Sequence, residues 1–183
     1  MINPIAAWHT EHVYFNQLLN LLHKQVDVFH TGVRPNYELM LDIVSYLRDY
    51  TDRIHHPRED AAFVILARRC PELELDLARL GQEHRVIAQA GETLLKALQS
   101  ILGGAIIPRT DVEVAAATYL VYYGNHIAKE EEDVLARAAL VLTREDWEAV
   151  RTAVAPMRDP LFDGEAEARF RELRRQIAMQ SEG

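Results

Sequence analysis

Residues 55–60 read HHPRED and residues 126–131 read HIAKEE. Each stretch begins with a histidine that has a glutamate four residues on, His55 with Glu59 and His126 with Glu130, followed directly by a second acid, Asp60 or Glu131. On an α-helix, residues four apart differ by only about 40° in direction, so each pair aims an imidazole and a carboxylate at one point. That is ligand geometry. The pattern extends outward, because TEH ends at His12 and QEH at His84, 72 positions later, while His55 and His126 are 71 apart. The chain therefore reads as two halves in one register, each with a lone histidine followed by an H-x-x-x-E pair.

The surrounding periodicity is helical throughout. Ile5, Trp8, His12, Phe15, Leu19, Leu22, Val26 and Phe29 alternate by three and four, an apolar seam interrupted only by His12. Thr31-Gly32 and Pro35 mark a turn, with the proline suited to opening a second helix that runs to about Arg69. After Cys70-Pro71 a third helix carries Leu77, Leu80, His84, Ile87, Gly91, Leu94, Leu98 and Ile101 on its seam. Gly103-Gly104 and Pro108 form the next turn, and a fourth helix reaches to around Leu142. Thr143 with Asp146 resembles a cap opening a shorter fifth helix, and residues 165–179 read as a sixth. No strand-like alternation competes. Four long helices joined by short turns imply antiparallel neighbours, so the expected fold is all-α: an up-down-up-down four-helix bundle over 1–142 with a helical C-terminal extension, 143–183, packed on it.

Composition narrows the function. A chain of 183 residues with 49% apolar side chains can bury a sizeable core. Twenty basic against 28 acidic residues give a formal charge of −8, the wrong sign for neutralising phosphates, so no nucleic-acid partner is expected. Cys70 is the only cysteine, which excludes an internal disulfide. The opening MINPIAAWHTEH lacks the basic and apolar regions of a signal peptide, and no run of 18 apolar residues occurs, so a cytoplasmic protein without a membrane span is expected.

The four seam histidines also fall at one height. His12 and His55 are about equally distant from a turn near residue 33, and His84 and His126 from one near residue 105, so at ~1.5 Å per residue all four lie within roughly one turn. A single histidine on an apolar seam is ordinarily a satisfied core residue. Four at one level together with two glutamates are different, since buried carboxylates with no basic neighbour on their seam carry a heavy desolvation cost unless a cation compensates them. Imidazole and carboxylate suit iron, manganese or zinc, and six such donors suit two ions.

The neighbouring residues divide less cleanly. His56 shares its face with Asp49, Asp52 and Arg53 and is expected to point to solvent or to help a neighbour, whereas His55 follows Met40, Val44, Leu47 and Thr51. Pro57 removes a backbone bond and should kink the helix, which leaves open a rotation that would select His56 with Asp60 instead. Glu131, five residues after His126, reaches the site only if the helix is locally distorted. His9, His23 and His30 fall off the seam and read as surface residues, while Tyr119 and Tyr122 share the His126 face and either fill core or line a pocket.

The ordered set EH, HHPRED, EH and HIAKEE resembles the hemerythrin-like (HHE) cation-binding domain family over roughly residues 5–142, and LTREDW and DPLF are similar to the tail of one bacterial subgroup. The resemblance implies a bundle holding two non-haem irons bridged by carboxylates and an oxo or hydroxo group, with His12, His55, Glu59, His84, His126 and Glu130 at the ligand positions. Manganese and zinc remain alternatives on donor chemistry. The family's oxygen carriers have another histidine four residues after the third-helix one, where this chain has Ala88, and ordinary reversible oxygen carriage is in doubt accordingly. The leading expectation is a binding protein that takes up or senses a small ligand, O2, NO or peroxide. The alternatives are a di-iron peroxidase or oxidase, a factor in iron–sulfur repair under oxidative or nitrosative stress, or a metal buffer.

Overall fold

The computed structural model describes residues 4–164 and 168–181, without the side chains of His30, Gln180 and Ser181. The first rod is α1, Pro4–His30. The second is compound, with α2 (Tyr37–Tyr46) passing through a π-helical segment (Leu47–His55) into α3 (His56–Arg69). After a 3₁₀ turn at Pro71–Leu73 comes α4, Glu74–Leu102. The fourth rod repeats the second: α5 (Arg109–Lys129), a π-helical segment (Glu130–Val134) and α6 (Leu135–Val141). The extension adds α7, Arg144–Ala153, and α8, Arg171–Ser181. Among the described residues there is no strand, and no helix is long and apolar enough to cross a membrane.

The turns have local causes. Gly32 and Gly104 adopt φ of 78° and 88°, conformations that side chains with a Cβ rarely adopt, and each ends a rod. Contrary to expectation, Pro35 does not open the second rod: the Asn36 side chain accepts from the Leu39 N–H at 3.0 Å and caps a helix that starts at Tyr37. At the start of α7, Thr143 and Asp146 form the expected reciprocal cap. The sixth helix starts later than its sequence pattern suggests, at Arg171 after a 3₁₀ turn over Ala168–Phe170, and residues 165–167 of that expectation lie outside the described residues.

Packing explains where the site sits. One apolar cluster runs from Phe15, Leu22 and Phe29 through Met40, Ile43, Leu94, Leu98, Val112, Tyr119 and Ile127. A second contains Trp8, Phe63, Leu66, Leu77, Leu80, Val134, Leu135 and Ala138. On every rod the histidine or glutamate lies between the two, as His12 does between Trp8 and Phe15 and Glu130 between Ile127 and Val134. The bundle thus carries one polar layer between two dry ones. The extension reinforces both ends. Val150 joins the second cluster beside Trp147, and Leu161, Phe170, Leu173 and Ile177 join the first, where the Tyr46 hydroxyl donates to Asp159 Oδ2 at 2.8 Å.

Candidate metal centre

His12, His55, Glu59, His84, His126 and Glu130 are each no more than 5% exposed, and the polar layer brings them together. It also contains His56, at 3% exposure, which overturns the first of the two expectations for it, that it points to solvent. The cause is the π-helical segment. The His56 N–H bonds to the Thr51 carbonyl, one residue further back than in an α-helix, just before Pro57, whose missing donor and ring would disrupt a regular turn. Instead of a kink that exchanges one histidine for the other, the widened turn directs both inward. Glu59 follows them in, while Asp60 stays half exposed.

The donor atoms form two nests. In the first, His12 Nε2 lies 3.0 Å from His55 Nε2, and Glu59 Oε1 lies 3.3 Å from the former and 2.8 Å from the latter. In the second, His56, His84 and His126 gather around Glu59, with His84 Nε2 3.4 Å from Glu59 Oε2. Glu130 also reaches both, its Oε2 3.5 Å from His12 Nε2 and its Oε1 3.1 Å from His126 Nε2 and 3.7 Å from His84 Nε2. Each carboxylate therefore offers one oxygen to each nest.

Whether a cation fits can be judged from what these atoms lack. His56 Nε2, His84 Nε2, His126 Nε2, Glu59 Oε2 and both Glu130 oxygens are sealed from solvent without a hydrogen-bond partner. In the first nest two imidazole nitrogens face one another, an arrangement that repels unless a proton or a cation lies beside both. Neighbouring ligands at right angles around an ion at about 2.1 Å stand ~3.0 Å apart, close to the spacings here. The residues fit metal.

The acids left over from the repeated motifs have a role that the sequence did not assign. His12 Nδ1 donates to Glu131 Oε1 at 2.6 Å and His84 Nδ1 to Asp60 Oδ1 at 2.8 Å; His55 Nδ1 donates to Glu11 Oε2 at 2.5 Å and His126 Nδ1 to Glu83 Oε2 at 3.2 Å. Each outer acid fixes the ring so that Nε2 points into the layer, the usual orientation device at metal-ligating histidines. Glu11 and Glu83 are the E of TEH and QEH, and Asp60 and Glu131 are the second acids of HHPRED and HIAKEE. Glu131 thus contributes from outside, although the fourth rod is distorted where reaching inward would have required it.

Electrostatics follow from these contacts. Burial alone would lower the His55 imidazole, but Glu59 and Glu11 outweigh it and raise it to about 9. Burial is likewise overcome at His84, where Asp60, Glu130 and Glu59 raise it to about 11. Glu59 is held well below the usual carboxylate range by His55, His12 and His84 despite its burial. For Glu11 burial would raise the carboxyl, but bonds to His55 and the Arg58 charge keep it at about 2. His56 goes the other way, pushed well below its ordinary value by burial and by His84, which leaves a neutral imidazole available as a donor.

The remaining expectations sort by exposure. His9 is 61% exposed yet donates to Glu131 Oε2 at 2.8 Å, and His23 sits on the surface 3.6 Å from Asp27, while the His30 side chain lies outside the described residues. Tyr119 is buried, but Tyr122 is half exposed and the second inward tyrosine is Tyr123, whose ring lies 5.7 Å from that of His56. With the geometry established, comparison with known proteins gives one match: residues 3–138 fit the family model described as the hemerythrin HHE cation-binding domain. No curated protein and no solved structure matches the chain.

Proposed function

The chain belongs to the hemerythrin HHE cation-binding domain family, and from that premise we propose that its polar layer holds two iron ions and that the protein binds or senses a small ligand such as O2 or NO. The observation that carries the reading is the placement of Glu59 and Glu130, each with one carboxylate oxygen beside the histidines of either nest. A carboxylate shared in this way suits a pair of ions better than one.

In this reading His12 and His55 would hold one ion and His56, His84 and His126 the other, with Glu59 and Glu130 able to serve both. When bound, two ferrous ions supply electrons and open positions to an incoming diatomic molecule. The first nest offers four protein donors and the second five, which would leave an ion in the first the less fully ligated by protein. Both nests lie against aromatic rings, the first with Phe15 centred 4.9 Å and Trp8 6.3 Å from the His55 ring and the second with Phe63 stacked 5.8 Å from that of His84. Small apolar ligands suit such surroundings. The formal charge of −8 and the free Cys70 thiol agree with a cytoplasmic protein whose partner is a small molecule rather than nucleic acid.

Metal analysis and an optical spectrum of protein produced with ample iron test the reading, followed by mixing the reduced form with O2 and with NO. About two irons per chain and a reversible spectral change are expected. Catalytic consumption of peroxide would replace the binding role by an enzymatic one, and one ion per chain would remove the dinuclear reading.

A further inference from the structure

Among the described residues, every buried side-chain nitrogen or oxygen that lacks a hydrogen-bond partner and lies outside the nests belongs to Arg48, Asp52, Tyr119 or Tyr123. These are Arg48 Nε, both Asp52 carboxylate oxygens and the two phenol hydroxyls. They lie together. Arg48 Nε is 3.7 Å from Asp52 Oδ2, Asp52 Oδ1 is 3.4 Å from His56 Nδ1, and the Tyr123 ring lies 5.5 Å from that of Tyr119 and 5.7 Å from that of His56. Tyr119 and Arg48 meet over Gly91, where a Cβ would stand 3.0 Å from the Tyr119 ring and 3.2 Å from Arg48 Cδ. Beside Tyr123 the Thr51 hydroxyl donates to the Leu47 carbonyl and so not to the phenol, whose own hydroxyl is without a partner.

The repeat shows how this arrangement arose in sequence terms. Shifting Arg48, Asp52 and His56 by the 71 positions that relate the two HxxxE pairs gives Tyr119, Tyr123 and Ile127. The two halves therefore match at the outer acids and differ here, where one supplies charges and an extra imidazole and the other supplies phenols. Arg48 pairs with Glu92 through Nη1, but its Nε, the Asp52 oxygens and the two phenols complete no hydrogen bond, and buried polar atoms left both dry and unpaired are rare because each loses its hydration without compensation. A buried water needs two to four polar partners, and this group of atoms provides them. Asp52 and Arg48 are 15% and 27% exposed, whereas the tyrosines are 1% exposed, so the polar atoms lead from the surface inward to His56.

We propose that Arg48, Asp52, Tyr119 and Tyr123 enclose ordered internal waters that link the His56 nest to the surface and form its solvent entrance. The inference depends on the pairing of polar atoms and not on which ion the nests hold. In the functional reading above it distinguishes the two nests: both are packed against aromatic rings, but the one with His56 also has a hydrated side from which water would reach it.

A crystal structure of the zinc-loaded protein tests the waters directly. Ordered waters bridging Asp52 to the two phenols are expected; a dry site, or phenols paired directly with Asp52, would overturn the proposal. Nests without zinc would count against the metal reading alone, since the waters can be read independently. Tyr119→Phe and Tyr123→Phe keep both rings and remove the hydroxyls, and each is expected to lower the folding equilibrium constant about tenfold; variants as stable as the parent, or more so, would show the hydroxyls dry. For the entrance, water-proton relaxation of the manganese-loaded protein reports exchange of water at the ion. The double tyrosine variant should slow that exchange about tenfold, and an unchanged rate would overturn the entrance.

Discussion

The imidazoles of His56 and His84 are stacked, with centroids 4.2 Å apart and planes 10° from parallel. On His84 the Asp60 carboxylate directs Nε2 inward, and the stacked His56 ring presents a second unpartnered Nε2 beside it. The position four residues after His84, where the family's oxygen carriers have another histidine, is Ala88. In this chain His56 adds the further imidazole from the neighbouring rod, and the π-helical segment before Pro57 lets it do so without displacing His55.

Metal content should separate the histidines from the shared carboxylates. His56→Ala removes a donor from one nest only and leaves it four, as many as the other, so a loaded protein should keep more than one ion but fewer than two. Glu59→Ala removes an oxygen from both and should leave less than one. Metal analysis after desalting reads the difference; full retention by His56→Ala would mean that this imidazole is a packing residue.

The outer acids give a paired prediction. Glu11→Gln and Glu83→Gln occupy equivalent places, each weakening the bond that orients a ring, His55 in one case and His126 in the other. Loss of such a partner costs about 10–100-fold in metal affinity. Competition with a chelator should show both variants weakened, while Glu113→Gln, whose parent carboxylate pairs with Arg109 on the surface, serves as the unaffected control. Equal affinities in all three would remove the orienting role.

Metal removal should cost stability, because an assembled site cannot exist in the unfolded chain. Free metal at a hundred times its dissociation constant stabilises by about 2.7 kcal/mol. Chelation should therefore lower the melting temperature by several degrees, as calorimetry would show. Apo and holo forms that melt together would break the link between centre and bundle.

The metal-free form should respond to pH with the opposite sign from the loaded one. His55 is raised to about 9 and His84 to about 11, so their contribution is complete below the ordinary histidine value near 6.5 and is lost as pH rises through those values. The apo protein should melt progressively lower from pH 6.5 to 9. Metal competes with those protons, so its affinity rises over the same range and loading releases protons into a weakly buffered solution. A melting temperature of the apo form that climbs with pH would contradict the charge assignment.

The rods were legible because their burial follows a simple period: each seam residue from Trp8 to Phe29 and from Leu77 to Leu98 is buried in the structure. The same regularity concealed His56. A face drawn at a constant 100° per residue places it beside Asp49, Asp52 and Arg53, and only the π-helical turn before Pro57 brings it inside. Pro57 was the available signal, although a proline forecasts irregularity and not its form. The outer acids were visible as a repeated letter pattern, but pairing Glu131 with His12 or Glu11 with His55 is a relation between different rods. Periodicity within one helix cannot supply it.

The extension offers a last test, because α7 covers the nest of His12 and His55 through an aromatic contact. Trp147 meets Trp8 with centroids 5.3 Å apart at 82°, and Trp8 in turn lies 6.3 Å from the His55 ring. The helix is held by its reciprocal cap and by Arg69, which reaches Asp146 Oδ2 at 2.7 Å. Loss of an N-cap side chain costs about 1 kcal/mol, so Thr143→Ala should lower stability by that amount. Trp147→Ala should cost more, roughly 2 kcal/mol for a large aromatic that remains partly exposed, below the range for fully buried ones. Neither change touches a donor atom, so the spectrum of the loaded protein should be preserved. Release of metal to a chelator should nevertheless be faster in both, and fastest for Trp147→Ala, since the cover over Trp8 opens more often. Release at the parent rate in both variants would show that α7 stabilises the bundle without guarding the centre.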